Sequence, residues 1–160
     1  MGGKNRVSYF YHPSWPHYYY GAGHPMKPFR LKLMHRLVLS YGLHRDMDCY
    51  SPHAADFGEM SYFHQPEYLQ FLRKISPETG RQSAAIQRKY NVGPNEDCPG
   101  FDGVYEFSQL LTGASMDAAA LLCLGQADIA INWSGGFHHA KKAGASGFCY
   151  VNGKGLVSYC

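Results

Sequence analysis

Apolar residues recur along this chain with two alternating periods. Residues 7–11 form a short apolar and aromatic run that Pro13 ends, the pattern of a strand. Residues 12–28 are rich in Gly, Pro and Tyr and read as a loop. Pro28 suits the first turn of a helix, where its missing N–H costs nothing. Leu31, Met34, Val38 and Tyr41 then recur at helical spacing, with Leu37 on the same side and Lys32, Arg36 and Arg45 on the other face or end. Residues 47–50 are a weak strand. Residues 54–63 and 66–75 read as two short helices, the second with Tyr68, Leu69, Leu72 and Ile75 as its apolar stripe. Residues 76–90 carry no clear period, and residues 91–103 read as a loop. Residues 104–124 predict a long helix whose small residues (Gly113, Ala114, Ala118, Ala119, Ala120) imply close packing against another element. Residues 128–133 read as a buried strand. Strands alternating with helices predict an α/β layer architecture with a parallel sheet, without repeats, low-complexity tracts or an interdomain linker.

Composition narrows the class. At 160 residues the chain is long enough for one domain with its own core. Its 13 tyrosines suggest rigid, half-polar surfaces such as loops lining a cleft. A net charge of +3 with neutral histidines is too mild to argue for nucleic-acid binding. The five cysteines are odd in number and show no C-x-x-C spacing. A disulfide framework or structural zinc knuckle is therefore disfavoured, and a reducing compartment is the simpler reading. The start, Met-Gly-Gly-Lys-Asn-Arg, has no apolar segment behind it, and no run approaches the roughly 18 apolar residues of a membrane span. Neither secretion nor membrane insertion is expected.

The chemistry concentrates late in the chain. His138 and His139 sit between Gly135-Gly136 and Gly144, directly after the last predicted strand. Histidine titrates near neutral pH, so a pair held by tight turns is a candidate acid–base site, one imidazole tuning the other. Two surface loop histidines are an equally good account of the residues alone. The stretch Gly21 to Arg30 is glycine-rich, then basic, then helical, and its amides with Lys27 could hold an anion at a helix N-terminus; an ordinary loop is the plainer account. Glu96 and Asp97 could accept hydrogen bonds from a substrate backbone, or form a solvent-facing turn. Phe148 could wall an apolar channel or serve the core. Cys149 near the histidines raises a Cys–His nucleophile, but nothing around it favours a thiolate.

Four signatures in register give these pieces a family. They are Tyr18-Tyr-Tyr-Gly-Ala-Gly-His-Pro-Met-Lys-Pro28; Asn91-Val-Gly with Glu96-Asp-Cys-Pro99; Asp128-Ile-Ala-Ile-Asn-Trp-Ser-Gly-Gly-Phe-His-His-Ala-Lys-Lys142; and Ala145-Ser-Gly-Phe-Cys-Tyr-Val-Asn152. Together they resemble the class I histone deacetylases, zinc-dependent protein lysine deacylases. The resemblance implies an arginase/deacetylase-like parallel sheet with flanking helices, of which this chain carries the N-terminal part. Residues 1–6 would be an extension, 7–152 the family portion, and 153–160 an unrelated tail. It further implies hydrolysis of the acetyl group from N6-acetyl-lysine of histones, hence transcriptional repression, in a nuclear or cytoplasmic setting.

By that resemblance His139 is the general base and acid and His138 its electrostatic partner, both beside a zinc-bound water. Gly147 and Phe148 line the tunnel for the acetyl-lysine stem, and Asp97 at the rim accepts hydrogen bonds from the substrate backbone. Arg30 and Cys149 lie near the inner cavity. Gly23 and Lys27 contact an inositol phosphate that bridges enzyme and corepressor. Acetylated histone tails, corepressor subunits and inositol phosphate are the implied partners, with no direct DNA contact and no membrane.

The chain also departs from the family pattern. The family's zinc ligands, two aspartates and a histidine, all follow the tandem histidines; here no histidine follows His139 and no carboxylate follows Asp128. No metal ligand is therefore assigned, and the chain by itself is expected to be inactive, with zinc belonging to the complete domain. A late transition-state tyrosine is also lacking, since Tyr159 does not fit it. Gly153-Lys154 can be encoded GGTAAG, a splice-donor string, so the tail is expected to arise from intron read-through or a mis-assigned gene model. Pro94-Asn95 are extra, Gly100 replaces a larger apolar residue, Phe29 a histidine, Phe137 a leucine and Gly144 a glutamate. The readings left open are a deacetylase portion, a catalytically dead fragment that binds corepressor or inositol phosphate, and a product without function. Exposed strand edges and apolar faces are expected of such a piece.

Overall fold

The computed structural model describes residues 5–76, 84–94 and 96–158. Most of residues 1–6, the centre of the aperiodic stretch 76–90, Asn95 and Tyr159 lie outside it. The first strand, β1 (Val7–Phe10), is central in a three-stranded parallel sheet. The neighbours are β2 (Asp48–Tyr50) on one side and β3 (Ile129–Asn132) on the other. Phe10 pairs in register with Tyr50 and Asn132. Central placement explains why Ser8, Tyr9 and Phe10 are buried. The expected parallel α/β arrangement is thus present, but β3 is no buried strand. It lies at the sheet edge, with Ile129 42% exposed and Trp133 just beyond it 47% exposed.

Between β1 and β2 runs α1 (Arg30–Ser40). Leu31 and Val38, seven residues apart, fall on one line two turns long and are buried. Leu37 stands about 100° off that line, and Tyr41 lies beyond the helix end; both are exposed, contrary to the helical stripe expected. Two short helices follow, α2 (Phe57–Ser61) and α3 (Pro66–Lys74). The first starts later than its pattern predicts because Asp56 and Glu59 close a capping box there, Asp56 Oδ1 accepting from the Glu59 amide at 2.8 Å. In α3 all of Tyr68, Leu69 and Leu72 are buried, with Ile75 just past its end. Next come α4 (Ala84–Tyr90) and the long α5 (Val104–Cys123).

The small residues of α5 serve the close approach expected of them. A Cβ on Gly113 would stand 1.9 Å from the His53 carbonyl oxygen, so only glycine lets the 53–55 backbone lie there. Ala55 and Gln109 exchange two hydrogen bonds beside it, at 2.8 and 3.0 Å. A last helix, α6 (Gly153–Val157), is begun by Asn152, whose side chain accepts from Gly155 N, and buries Leu156.

The core is strongly aromatic. Tyr20, Phe101, Phe107 and Tyr150 pack ring against ring, with centroids 4.9–6.1 Å apart. Their hydroxyls reach backbone: Tyr20 donates to Phe148 O, Tyr68 to Tyr150 O, and Tyr150 to Pro99 O. The tyrosines therefore tie loops to the core as well as lining surfaces. No helix among the described residues is long and apolar enough to cross a membrane.

Candidate active site around the tandem histidines

The chain leaves β3 through a turn at 132–135, where Asn132 Oδ1 accepts from the amide and hydroxyl of Ser134. His138 and His139 follow, both exposed, with ring centroids 4.2 Å apart and planes 33° apart. His138 Nδ1 lies 2.7 Å from Gly136 O. A carbonyl only accepts, so Nδ1 carries the proton and Nε2 of the neutral ring is left with a free lone pair. The two rings are adjacent and tilted with respect to each other.

The segment 144–152 turns back over this loop. Lys141 and Gly144 pair, as do Ser146 and Cys149. At their turn Gly147 and Phe148 both have positive φ, 51° and 68°. Gly147 lies flat against the His139 ring, a Cβ there meeting Cγ at 3.0 Å. Phe148 pays for a left-handed backbone that non-glycine residues rarely adopt. Its ring stands edge-on to His24 at 4.9 Å, and His24 Nε2 is 3.1 Å from the Asp97 carbonyl. Gly147 and Phe148 are thus joined to His139 on one side and, through His24, to Asp97 on the other; the exposed Asp97 carboxylate is free to face solvent.

Arg30, exposed, and Cys149, buried, each contact the backbone of this assembly. Arg30 donates to Trp133 O at 3.4 Å, and Cys149, buried, directs Sγ to Gly147 O at 3.4 Å. Both lie within electrostatic reach of Tyr20, whose hydroxyl burial pushes well above its ordinary pKa. Cys98 sits beside Cys149, and burial pushes its thiol up to about 12, which leaves it a neutral core group.

Gly23 and Lys27 lie in the exposed loop that also carries His24, Lys27 Nζ standing 5.8 Å over the Tyr19 ring. The helix amides do not form an anion cradle, in keeping with the ordinary loop. The amides of Arg30, Leu31 and Lys32 already donate to the carbonyls of Lys27, Pro28 and Phe29, at 2.9–3.0 Å. A tight turn leads into the helix and uses the donors an anion would need.

Two hollows adjoin the site. A cleft of about 580 Å³ runs between Tyr20, Gly23 and His24 on one wall and Glu96, Pro99 and Phe101 on the other. A shallower one of about 330 Å³ is bounded by His138, Ser115 and Lys154. Of the tandem pair only His138 lines the second hollow; His139 borders neither it nor the larger cleft. Among the described residues, no three His, Cys, Asp or Glu side chains converge to hold a metal ion, so the donors present do not fit a zinc centre.

Three residues without a role in the sequence reading prove central: His24, His64 and Asn152. His24 joins Phe148 to Asp97. Asn152 Nδ2 donates to both His138 O and Ala140 O, and its own amide donates to the buried His64 ring. His24 and Asn152 stand inside the quoted signatures, but Asn152 meets His64 88 residues away and His24 meets Phe148 further still, links no local pattern carries.

Comparison with known proteins gives the family. The family model described as "Histone deacetylase domain" matches residues 24–157. Histone deacetylase 1 of Bos taurus is 51% identical over 152 residues, 95% of this chain and 31% of that protein. Histone deacetylase 6 of Arabidopsis thaliana is 54% identical over 153 residues, 94% of this chain and 32% of that protein. The Drosophila melanogaster histone deacetylase is 52% identical over 149 residues, 93% of this chain and 28% of that protein. The chain therefore spans about a third of the length of the curated relatives it matches. With its three-stranded parallel sheet and flanking helices it belongs to the histone deacetylase domain family, of arginase/deacetylase fold.

Proposed function

We propose that this chain supplies the proton-handling and substrate-contacting half of a histone deacetylase site, whose complete form removes the acetyl group from N6-acetyl-lysine. The observation that carries this is the close, tilted His138–His139 ring pair with Gly147 packed on the His139 ring. In the proposed reaction His139 takes a proton from the attacking water while its oxygen bonds to the amide carbon. The same proton passes to the lysine nitrogen as the C–N bond breaks, and the proton left on the acetic acid passes to the freed amine, giving acetate and the lysine ammonium. His138 stabilises the charged neighbour. Gly147 and Phe148 border the lysine stem, and Asp97 accepts from the substrate backbone; Arg30 and Cys149 lie beneath them.

Zinc belongs to this proposal only for the whole protein, since the donors described here do not assemble a site for it. The chain alone is therefore proposed to be inactive. Residues 7–152 are taken as the family portion and 153–160 as a tail of separate origin, although the family match itself runs on to residue 157. Purified chain, titrated with zinc and assayed on an acetylated histone peptide, is expected to show neither tight one-to-one binding nor turnover. In a chimaera joined to the C-terminal two thirds of a relative, turnover is expected, and His139→Ala should lower it by about 10²–10⁴-fold. Retained turnover in that variant would refute the role of His139.

Exposed Lys27 beside Gly23 also favours a contact with an anionic bridge such as an inositol phosphate shared with a corepressor. Because the helix amides are spent, the lysine charge carries this contact. Capture of corepressor domains should be lost on Lys27→Glu; capture undiminished by that charge reversal would remove the binding reading. By this proposal the protein acts in the nucleus, or in the cytoplasm, as a repressor of transcription.

A further inference from the structure

We propose that His64 is a positioning residue for the tandem histidines, acting through Asn152. The purpose assigned to it rests on the deacetylase reading; the geometry does not. His64 is 1% exposed and lies between α2 and α3, well separated in sequence from the loop it serves. Its Nε2 accepts from the Asn152 amide at 2.9 Å, so Nε2 is unprotonated and the neutral ring carries its proton on Nδ1. Nδ1 lies close to the carbonyls of Lys141 and Lys142 without forming a well-shaped hydrogen bond to either. The next residue, Gln65, donates its amide to Lys142 O at 2.8 Å.

The His64–Gln65 junction thus grips both ends of the segment from Lys142 to Asn152. From its far end Asn152 reaches back, donating to His138 O at 3.0 Å and Ala140 O at 2.9 Å. The carbonyls on either side of His139 are therefore held by one amide group, and that amide group's backbone is held by His64. The ring environment of His64 is fixed in turn by Phe63 and Tyr68. A buried histidine that only filled space would be replaceable by an aromatic residue. One that sets the direction of the Asn152 amide would not, because a phenyl ring leaves that N–H without an acceptor.

The test uses the chain itself and two substitutions at this residue. His64→Phe keeps the ring shape and removes the acceptor; His64→Gln places an amide oxygen near Nε2. Nuclear magnetic resonance reads the hydrogen-exchange protection of the Asn152 amide and the nitrogen shifts of the His138 ring, which report its tautomer. His64→Phe is expected to lower Asn152 protection by about tenfold or more. It should also release His138 from the Nδ1–H form bonded to Gly136 O, and His64→Gln should restore both. Asn152→Ala, with His64 intact, should shift His138 in the same way. If His64→Phe folds with Asn152 protected and the His138 tautomer unchanged, the proposal fails. It also fails if Asn152→Ala leaves His138 unmoved, or if every variant unfolds, since His64 would then be structural alone. None of these readouts involves turnover, so absence of deacetylation in the chimaera would sink the functional reading and leave this one standing.

Discussion

His64 and His53 respond to pH in opposite senses. Burial pushes the His64 pKa down to about 4, against the opposing pull of the Lys141 and Lys142 carbonyls. Its unfolded value is near 6.5, so between those values the unfolded chain binds the extra proton and stability rises with pH. The shift corresponds to about 3 kcal/mol at most, fully present above pH 6.5 and lost as pH falls towards 4. His53 is the reverse case. Burial alone would lower its pKa, but Asp117 at 2.7 Å and Glu59 at 3.3 Å outweigh that and raise it. Its contribution is present below the unfolded value and fades as pH rises through the raised one. Urea denaturation of the chain between pH 4.5 and 6.5 should therefore show stability climbing with pH. The slope should flatten in His64→Phe; above pH 6.5 the loss of stability that His53 causes should vanish in His53→Ala, and curves unchanged by either substitution would show that neither ring titrates as described.

At the scale of elements, the tightest constraint lies where α5 crosses the 53–55 strand of backbone. The Gly113 contact with His53 O leaves no space for a methyl group. Gly113→Ala should destabilise by about 1–3 kcal/mol despite alanine's better helix propensity, because backbone and not a flexible side chain must move. Chemical denaturation checks this, and a neutral or stabilising result would mean the two backbones separate freely. The run of small residues on α5 made such an approach foreseeable, since only small side chains allow backbones so near. Its partner was not foreseeable, because nothing in the pattern of 53–55 marks it as a packing surface. The helical spacing of α1 likewise overstated its buried face. Leu37 and Tyr41 fit the period yet face water, because the period reports which residues share a side and not how wide a neighbour covers it.

For the molecule as a whole, β3 presents an edge flanked by exposed Ile129 and Trp133, with Leu122 and Leu124 exposed at the end of α5. An open parallel edge beside apolar side chains is a template for pairing with another chain. Light scattering of the isolated chain should show self-association growing with concentration. The double variant Ile129→Lys, Trp133→Lys should suppress it, and a monodisperse wild-type chain at high micromolar concentration would contradict this account.

The strands, most helices, the tandem histidines and their glycine turns were legible in the chain, because each follows from residues within a few positions of one another. Periodicity, the left-handed freedom of glycine and capping chemistry are local, and local rules can be read along a line. The grip of His64 on Asn152, the bridge that His24 makes to Asp97, and the placing of β3 at the exposed edge expected of some strand were not legible. Each depends on which distant segments meet and in what direction their hydrogen-bonding groups point. That is settled by packing of the aromatic core and by the order β2-β1-β3 of the sheet, which no single stretch of residues encodes.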